Sequence, residues 1–158
     1  MSINSIKIEQ ITIAARCMEQ LLKSGMTENM AIRHLEFLAN VYAKFKTLRK
    51  VSVDHVDEFA MWSAAAIRAK KENPEKKVGE YLRVEHGTPR RKFAKLVFMA
   101  FKEKKLTERW MNSHCKKLWK VAVVTHEEDK KLNKLRKLDF VTPEARWTHV
   151  GIEIQERI

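Results

Sequence analysis

The stretch VAVVTHEED, residues 121–129, decides the fold class because it places a strand directly before a helix. Four apolar residues, three of them β-branched, suit a buried strand. Thr125 then stands where a helix N-cap is expected, and the acids at 127–129 fall in the first helical turn, where negative charge is favoured. Because most other segments carry helical periodicity, we predict an α+β fold that is predominantly helical.

Two helical segments form a predicted N-terminal hairpin. Residues 8–22 make the first helix, which ends before Gly25, and Thr27 caps the second. A third helix, capped by Ser52 or Asp54, follows and ends before a proline. Helices are therefore expected throughout the N-terminal half.

The C-terminal half mixes helices with a small sheet. Thr88, followed by proline, is predicted to cap one helix, and Thr107 caps a shorter one. Residues 147–154 alternate in polarity as a strand does, which places a small β-sheet near the C-terminus. The length predicts a single domain over 1–158, and the polar, proline-containing stretch near 72–78 is its possible internal boundary.

The charge balance points to a polyanionic partner. The 158 residues hold 32 Lys and Arg against 20 Asp and Glu, a net charge of +12. Such an excess attracts phosphate backbones, so we predict a nucleic-acid partner, RNA in preference to DNA, with an acidic protein as the alternative. No apolar run is long enough to cross a bilayer, so we expect no membrane partner and a cytoplasmic location.

Two rows of cations are predicted along the helices that follow Thr88 and Thr125. Arg90, near a helix N-terminus, adds a guanidinium fork for phosphate, and Trp147 on its predicted strand offers a stacking surface for an unpaired base. Solvated helix faces, and burial of Trp147 against a helix, are the alternatives. The predicted nucleic-acid contacts are Arg90, Arg91, Lys95, Lys102, Lys130, Lys134, Lys137 and Trp147.

The stretch RVEHGTPRRKF, residues 83–93, is the candidate catalytic segment. A histidine can move a proton to or from a ribose hydroxyl, and a nearby guanidinium can stabilise charge on phosphorus. This chemistry resembles that of metal-independent ribonucleases, toxin-type ones included, in mechanism and charge. The alternative is local structure only, with a helix cap and a locally hydrogen-bonded histidine. The candidate catalytic residues are Arg83, Glu85, His86, Thr88 and His126.

Metal and cofactor sites are not predicted. The chain has no glycine-rich phosphate loop and no paired metal-ligand motif, which argues against nucleotide-dependent catalysis. The acids at 127–129 beside His126 are what a first helical turn prefers in any protein.

A non-enzymatic DNA-binding regulator is the competing prediction. It would use cations near the ends of the N-terminal helices rather than the segment around His86. The residues concerned are Lys44, Lys46, Arg49, Lys50, Arg68, Lys70 and Lys71.

Overall fold

The computed structural model describes residues 6–47 and 53–157, and the chain divides into two compact units. The helical unit comprises the described residues of Met1–Arg49 and Thr88–Trp119. The sheet unit comprises the described residues of Lys50–Gly87 and Lys120–Ile158. Residues 72–78, the predicted internal boundary, lie within the sheet unit, and the single-domain organisation stays a prediction.

The described residues form eight α-helices, two 3-10 helices and four strands. The α-helices are α1 (Ile8–Lys23), α2 (Glu28–Ala31), α3 (Arg33–Thr47), α4 (Ala64–Glu72), α5 (Arg90–Lys102), α6 (Glu108–Leu118), α7 (His126–Asn133) and α8 (Pro143–His149). The strands are β1 (Met61–Ser63), β2 (Leu82–His86), β3 (Val121–Thr125) and β4 (Ile154–Glu156). The 3-10 helices are Val53–Glu58 and Val78–Glu80. The predicted α+β class is confirmed.

The helical unit is built around α3, which packs against α1, α5 and α6. α1 buries Ile11, Ala15 and Met18 on one face, as its apolar spacing predicted. It ends before Gly25, whose φ of +92° is a conformation that favours glycine. α6 begins after Thr107, whose Oγ1 accepts a hydrogen bond from a backbone N–H three residues later. The predictions for α1 and α6 are therefore confirmed.

The sheet unit contains one four-stranded sheet in the order β2-β3-β1-β4. β1 runs parallel to β3, while β2 pairs antiparallel with β3 and β4 pairs antiparallel with β1. The predicted strand and helix around Thr125 are confirmed, and the Thr125 hydroxyl caps α7. One core cluster of the sheet unit consists of Ala122, Val124, Leu132, Trp147 and Ile152.

The predicted third helix starts later than expected, and a strand takes its first part. Met61–Ser63 is β1, which pairs with β3 and β4, and the fully buried Trp62 lies in it. The cap is Ser63, whose Oγ accepts from the Ala66 backbone N–H at 3.0 Å. Of the two predicted caps, Ser52 lies outside the described residues, and Asp54 belongs to the 3-10 helix Val53–Glu58.

The predicted strand over 147–154 is wrong for most of its length. Thr142 caps α8 and proline follows at the first helical position, so this segment begins as a helix. Gly151, with a φ of +73°, follows shortly after α8 ends, and only the last residue of the predicted strand enters β4. The alternation of polar and apolar residues was real, but a stronger local start signal overrode it.

Two further boundaries differ from the predicted ones. The helix predicted after Thr27 breaks at Ile32 into α2 and α3, and α5 starts at Arg90 with no side-chain cap. Within the described ranges, no helix is long and apolar enough to span a membrane.

Candidate nucleic-acid interface

The positive charge of the chain is concentrated in the helical unit. The segments Met1–Arg49 and Thr88–Trp119 hold 17 Lys and Arg against 6 Asp and Glu, a formal charge of +11. The segments of the sheet unit hold 15 against 14, or +1. Residues 80–158 hold 19 Lys and Arg against 11 Asp and Glu, and both units include residues from that half. The net positive charge of the chain therefore belongs almost entirely to the helical unit.

The predicted row on α5 is partly engaged within the protein. Arg91 Nε donates to a Glu36 carboxylate oxygen at 2.8 Å, and Lys95 lies 2.7 Å from Glu28. Both acids belong to α2 or α3, so these pairs tie α5 to its neighbours. Lys102, at the end of α5, is exposed, and its ammonium lies 5.8 Å from the ring centroid of Phe98.

A row of cations on α6 has no acidic partner among the described residues. The α6 row is Arg109, Lys116 and Lys117, whose spacings of seven and eight place them on one helix face. All three are exposed, and the opposite face buries Met111 and Cys115. These cations are available to a ligand, and sequence reasoning had not selected them.

An aromatic pair lies beside the α6 row. The rings of Trp110 and His114 stack with centroids 3.7 Å apart and an interplanar angle of 16°. His114 Nδ1 lies 2.9 Å from the Trp110 carbonyl oxygen, and both side chains are partly exposed. Neither residue is among the predicted nucleic-acid contacts. The signal that could have found the pair is its i, i+4 spacing between Arg109 and Lys117.

The second predicted row does not form one helix face. α7 ends at Asn133, so Lys134 is its C-cap and Lys137 lies beyond it. Lys130 lies 3.1 Å from Glu127. All three lysines are exposed, but they belong to the nearly neutral sheet unit. Their role as nucleic-acid contacts stays a prediction.

The candidate catalytic segment is divided between the two units. Arg83, Glu85 and His86 lie in β2 of the sheet unit, whereas Thr88 belongs to the helical unit. Arg83 is exposed, and its Nη1 donates to the Gly79 carbonyl oxygen at 2.7 Å. The residues of the segment therefore do not all belong to one compact unit.

Glu85 forms a buried ion pair with Arg146 of α8, which removes it from the role of a surface acid or base. The two side chains are 11% and 8% exposed. Arg146 also lies within 3.4 Å of the Leu132 and His86 carbonyl oxygens. Burial raises the pKa of the Glu85 carboxyl, and the Arg146 guanidinium acts in the opposite direction. The predicted catalytic role of Glu85 is corrected to a structural one.

The strand register separates the histidines of the sheet unit. His86 pairs with Val121 at one end of β2 and β3, while His126 follows Thr125 at the other end. Four residue steps, or roughly 14 Å, separate Val121 from Thr125, and His126 lies one residue beyond Thr125. His149 ends α8 and meets the Phe140 ring edge-on at 5.2 Å. The sheet therefore does not bring His86 and His126 together as a catalytic pair.

Two predicted site residues are buried. Trp147 lies in α8 and is 1% exposed, so it offers no surface for stacking a base, and this prediction is corrected. Thr88 is 6% exposed and does not cap α5. Arg90, in contrast, is exposed at the first position of α5. Of these three residues, only Arg90 is accessible to a nucleic acid.

The acids near His126 have structural roles as well. A Glu128 oxygen accepts hydrogen bonds from Ser63 Oγ at 2.6 Å and from the Thr125 backbone N–H at 3.0 Å. His126 Nε2 is buried and lacks a hydrogen-bond partner in the described part of the chain. No cluster of three potential metal ligands occurs within residues 6–47 and 53–157. Glu128 therefore stabilises the start of α7.

The surface of the alternative regulator lies partly outside the described residues, since Arg49 and Lys50 are not among them. Lys46 and Lys70 each pair with a carboxylate.

Comparisons of the chain with protein-family models, with curated proteins and with solved structures found no match.

Proposed function

We propose that this chain binds single-stranded nucleic acid, RNA by preference, through the helical unit. The observation that carries the proposal is the charge of +11 in that unit against +1 in the sheet unit. The α6 row supplies three exposed cations with no acidic partner among the described residues. Lys and Arg in this arrangement neutralise backbone phosphates and release their counterions.

The aromatic pair favours an unpaired strand over a duplex. Trp110 and His114 are partly exposed and lie next to the cations that would hold the backbone. Bases that are free of a complementary strand stack on such rings, and RNA is read mainly in its single-stranded segments. We therefore expect stronger binding to single-stranded RNA than to an RNA duplex of the same length.

Ribonuclease chemistry is not part of this proposal. The strand register places His86 and His126 at opposite ends of β2 and β3, and Glu85 is paired with Arg146. Cleavage by His86 stays a prediction, which incubation of labelled RNA with the wild type and with His86→Ala in EDTA would test.

The proposal is tested by removing the α6 row and following the salt dependence of binding. The triple variant Arg109→Ala, Lys116→Ala, Lys117→Ala is titrated into fluorescent single-stranded RNA of about 12 nucleotides. Each phosphate contact contributes about 0.7 to the slope of log affinity against log salt on single strands. Loss of three contacts should weaken binding and reduce the slope by about 2.

The matched control removes the same charge from the sheet unit. The variant Lys76→Ala, Lys77→Ala, Lys131→Ala also lowers the net charge by three, and its lysines are exposed. We expect its affinity to stay within about twofold of the wild type at moderate salt, where distant charges are screened. Equal losses in both variants would contradict the assignment to α6. Absence of binding by the wild type would refute the proposed function.

A further inference from the structure

A cleft of about 180 Å³ in the helical unit is lined by three arginines, one glutamate and a phenylalanine. Its lining residues are Arg33, Glu36, Phe37, Arg90 and Arg91. The volume is roughly six times the ~30 Å³ that a water molecule occupies in the liquid, enough for a phosphate group. This cleft is formed by residues at the start of α3 and α5, and no residue of the α6 row lines it.

Two of the arginines are available to a ligand. Arg33 and Arg90 are exposed, and neither forms an ion pair within the described residues. Arg91 is held in place, because its Nε donates to Glu36 and its Nη1 donates to Asn29 Oδ1 at 2.6 Å. A guanidinium has five N–H donors, so Arg91 retains donors beyond these two bonds.

The charge of the lining selects the kind of anion. Three guanidinium groups and the Glu36 carboxylate give a net charge of +2. A phosphodiester inside a strand carries one negative charge, whereas a phosphate monoester carries about −1.5 to −2 at neutral pH. The lining therefore matches a terminal phosphate better than an internal one.

The phenylalanine adds a surface for the base of the same nucleotide. Phe37 is 60% exposed although it is a large apolar residue. A terminal nucleotide has a neighbour on one side only, so its base can stack on a ring beside the cleft. Phosphate contacts and a stacking ring together form the two parts of an end-recognition site.

We propose that the cleft formed by Arg33, Arg90, Arg91 and Phe37 binds the terminal phosphate monoester of a nucleic acid strand. The inference rests on the proposed function, since it concerns which part of the bound strand the helical unit recognises. Arg33 and Arg90 provide bidentate contacts to the phosphate oxygens, and Arg91 contributes its remaining donors. Phe37 stacks on the terminal base.

Three single-stranded RNAs of one sequence test the inference by competition against a labelled RNA. One has a 5′-phosphate, one has a 3′-phosphate, and one has hydroxyl groups at both ends. We expect the wild type to bind one phosphorylated RNA about tenfold more tightly than the hydroxyl RNA, a gain typical of added charge-assisted hydrogen bonds. The two phosphorylated RNAs distinguish which end is recognised.

Variants that each remove one charge test whether the cleft causes the tighter binding of phosphorylated RNA. In Arg33→Gln and in Arg90→Gln, the affinity ratio of phosphorylated to hydroxyl RNA should fall towards one. Lys131→Gln removes one exposed cation from the sheet unit and should keep the wild-type ratio. The ratio in the wild type should also fall as the pH drops through about 6, where the monoester takes up a proton and the diesters do not.

The failure of this inference differs from failure of the proposed function. If the wild type binds all three RNAs equally, the cleft does not recognise a terminal phosphate, while nucleic-acid binding stands. Retention of the gain in both arginine variants would likewise overturn the assignment. If none of the three RNAs binds, both proposals are refuted.

Discussion

Replacing Arg146 with methionine removes the cation that faces Glu85 inside the sheet unit. Methionine is similar in length and apolar, so the substitution keeps much of the packing while it leaves Glu85 without its charged partner. The two side chains are only 8% and 11% exposed, so water cannot take over the lost interaction. Removing one partner of a buried ion pair lowers the free energy of unfolding by about 3–5 kcal/mol, and we expect a decrease of that size at pH 7.

The loss should depend on pH in a direction set by the Glu85 carboxyl. Burial raises its pKa, and Arg146 opposes that effect, so Arg146→Met raises the pKa further. The folded variant then binds a proton more tightly than the unfolded chain does. The stability that this proton contributes to the variant is lost as the pH rises through the Glu85 pKa of the folded state. The difference in free energy of unfolding between the variant and the wild type therefore becomes smaller as the pH is lowered.

Urea unfolding followed by circular dichroism between about pH 8 and pH 5 measures this penalty. The double variant Glu85→Leu, Arg146→Met is the control, because it leaves no unpaired charge and should be more stable than the single variant at pH 7. If Arg146→Met lowers the free energy of unfolding by less than about 1 kcal/mol at pH 7, the reasoning is refuted. A penalty that grows as the pH is lowered would refute it as well.

Three further predictions follow from particular contacts. Thr125→Ala removes a hydroxyl that caps α7, and should cost about 1 kcal/mol in urea unfolding. Burial raises the pKa of Cys115 to about 12. A thiol reagent at about pH 8 should therefore modify the half-buried Cys17 much faster than Cys115 in the native protein. A Cβ at Gly87 would lie 2.3 Å from Pro143 Cβ, so Gly87→Ala should lower the free energy of unfolding by about 1–3 kcal/mol. Equal thiol rates, or unchanged stability in either variant, would contradict these expectations.

The candidate site was only partly predictable from the sequence. The net charge and the cations of the α5 segment were visible, and Arg90 does lie exposed at the cleft. The engagement of Arg91 by Glu36 was not visible, because the partners are 55 residues apart. The concentration of charge in the helical unit was equally hidden, since it depends on which distant segments pack together.

The sequence by itself determined the elements whose stabilising contacts are local. α1, α6 and α7 were predicted from apolar spacing and from caps such as Thr107 and Thr125, because a helix closes its hydrogen bonds within four residues. The α+β class followed from the same local signals.

Only the tertiary structure decided the elements that depend on distant partners. Met61–Ser63 became β1 because it pairs with β3 and β4, which lie about 60 to 90 residues later in the chain. The ion pair between Glu85 and Arg146 likewise joins residues 61 positions apart. Strand pairing and buried ion pairs acquire their energy from partners that no short segment contains, so local patterns could not reveal them.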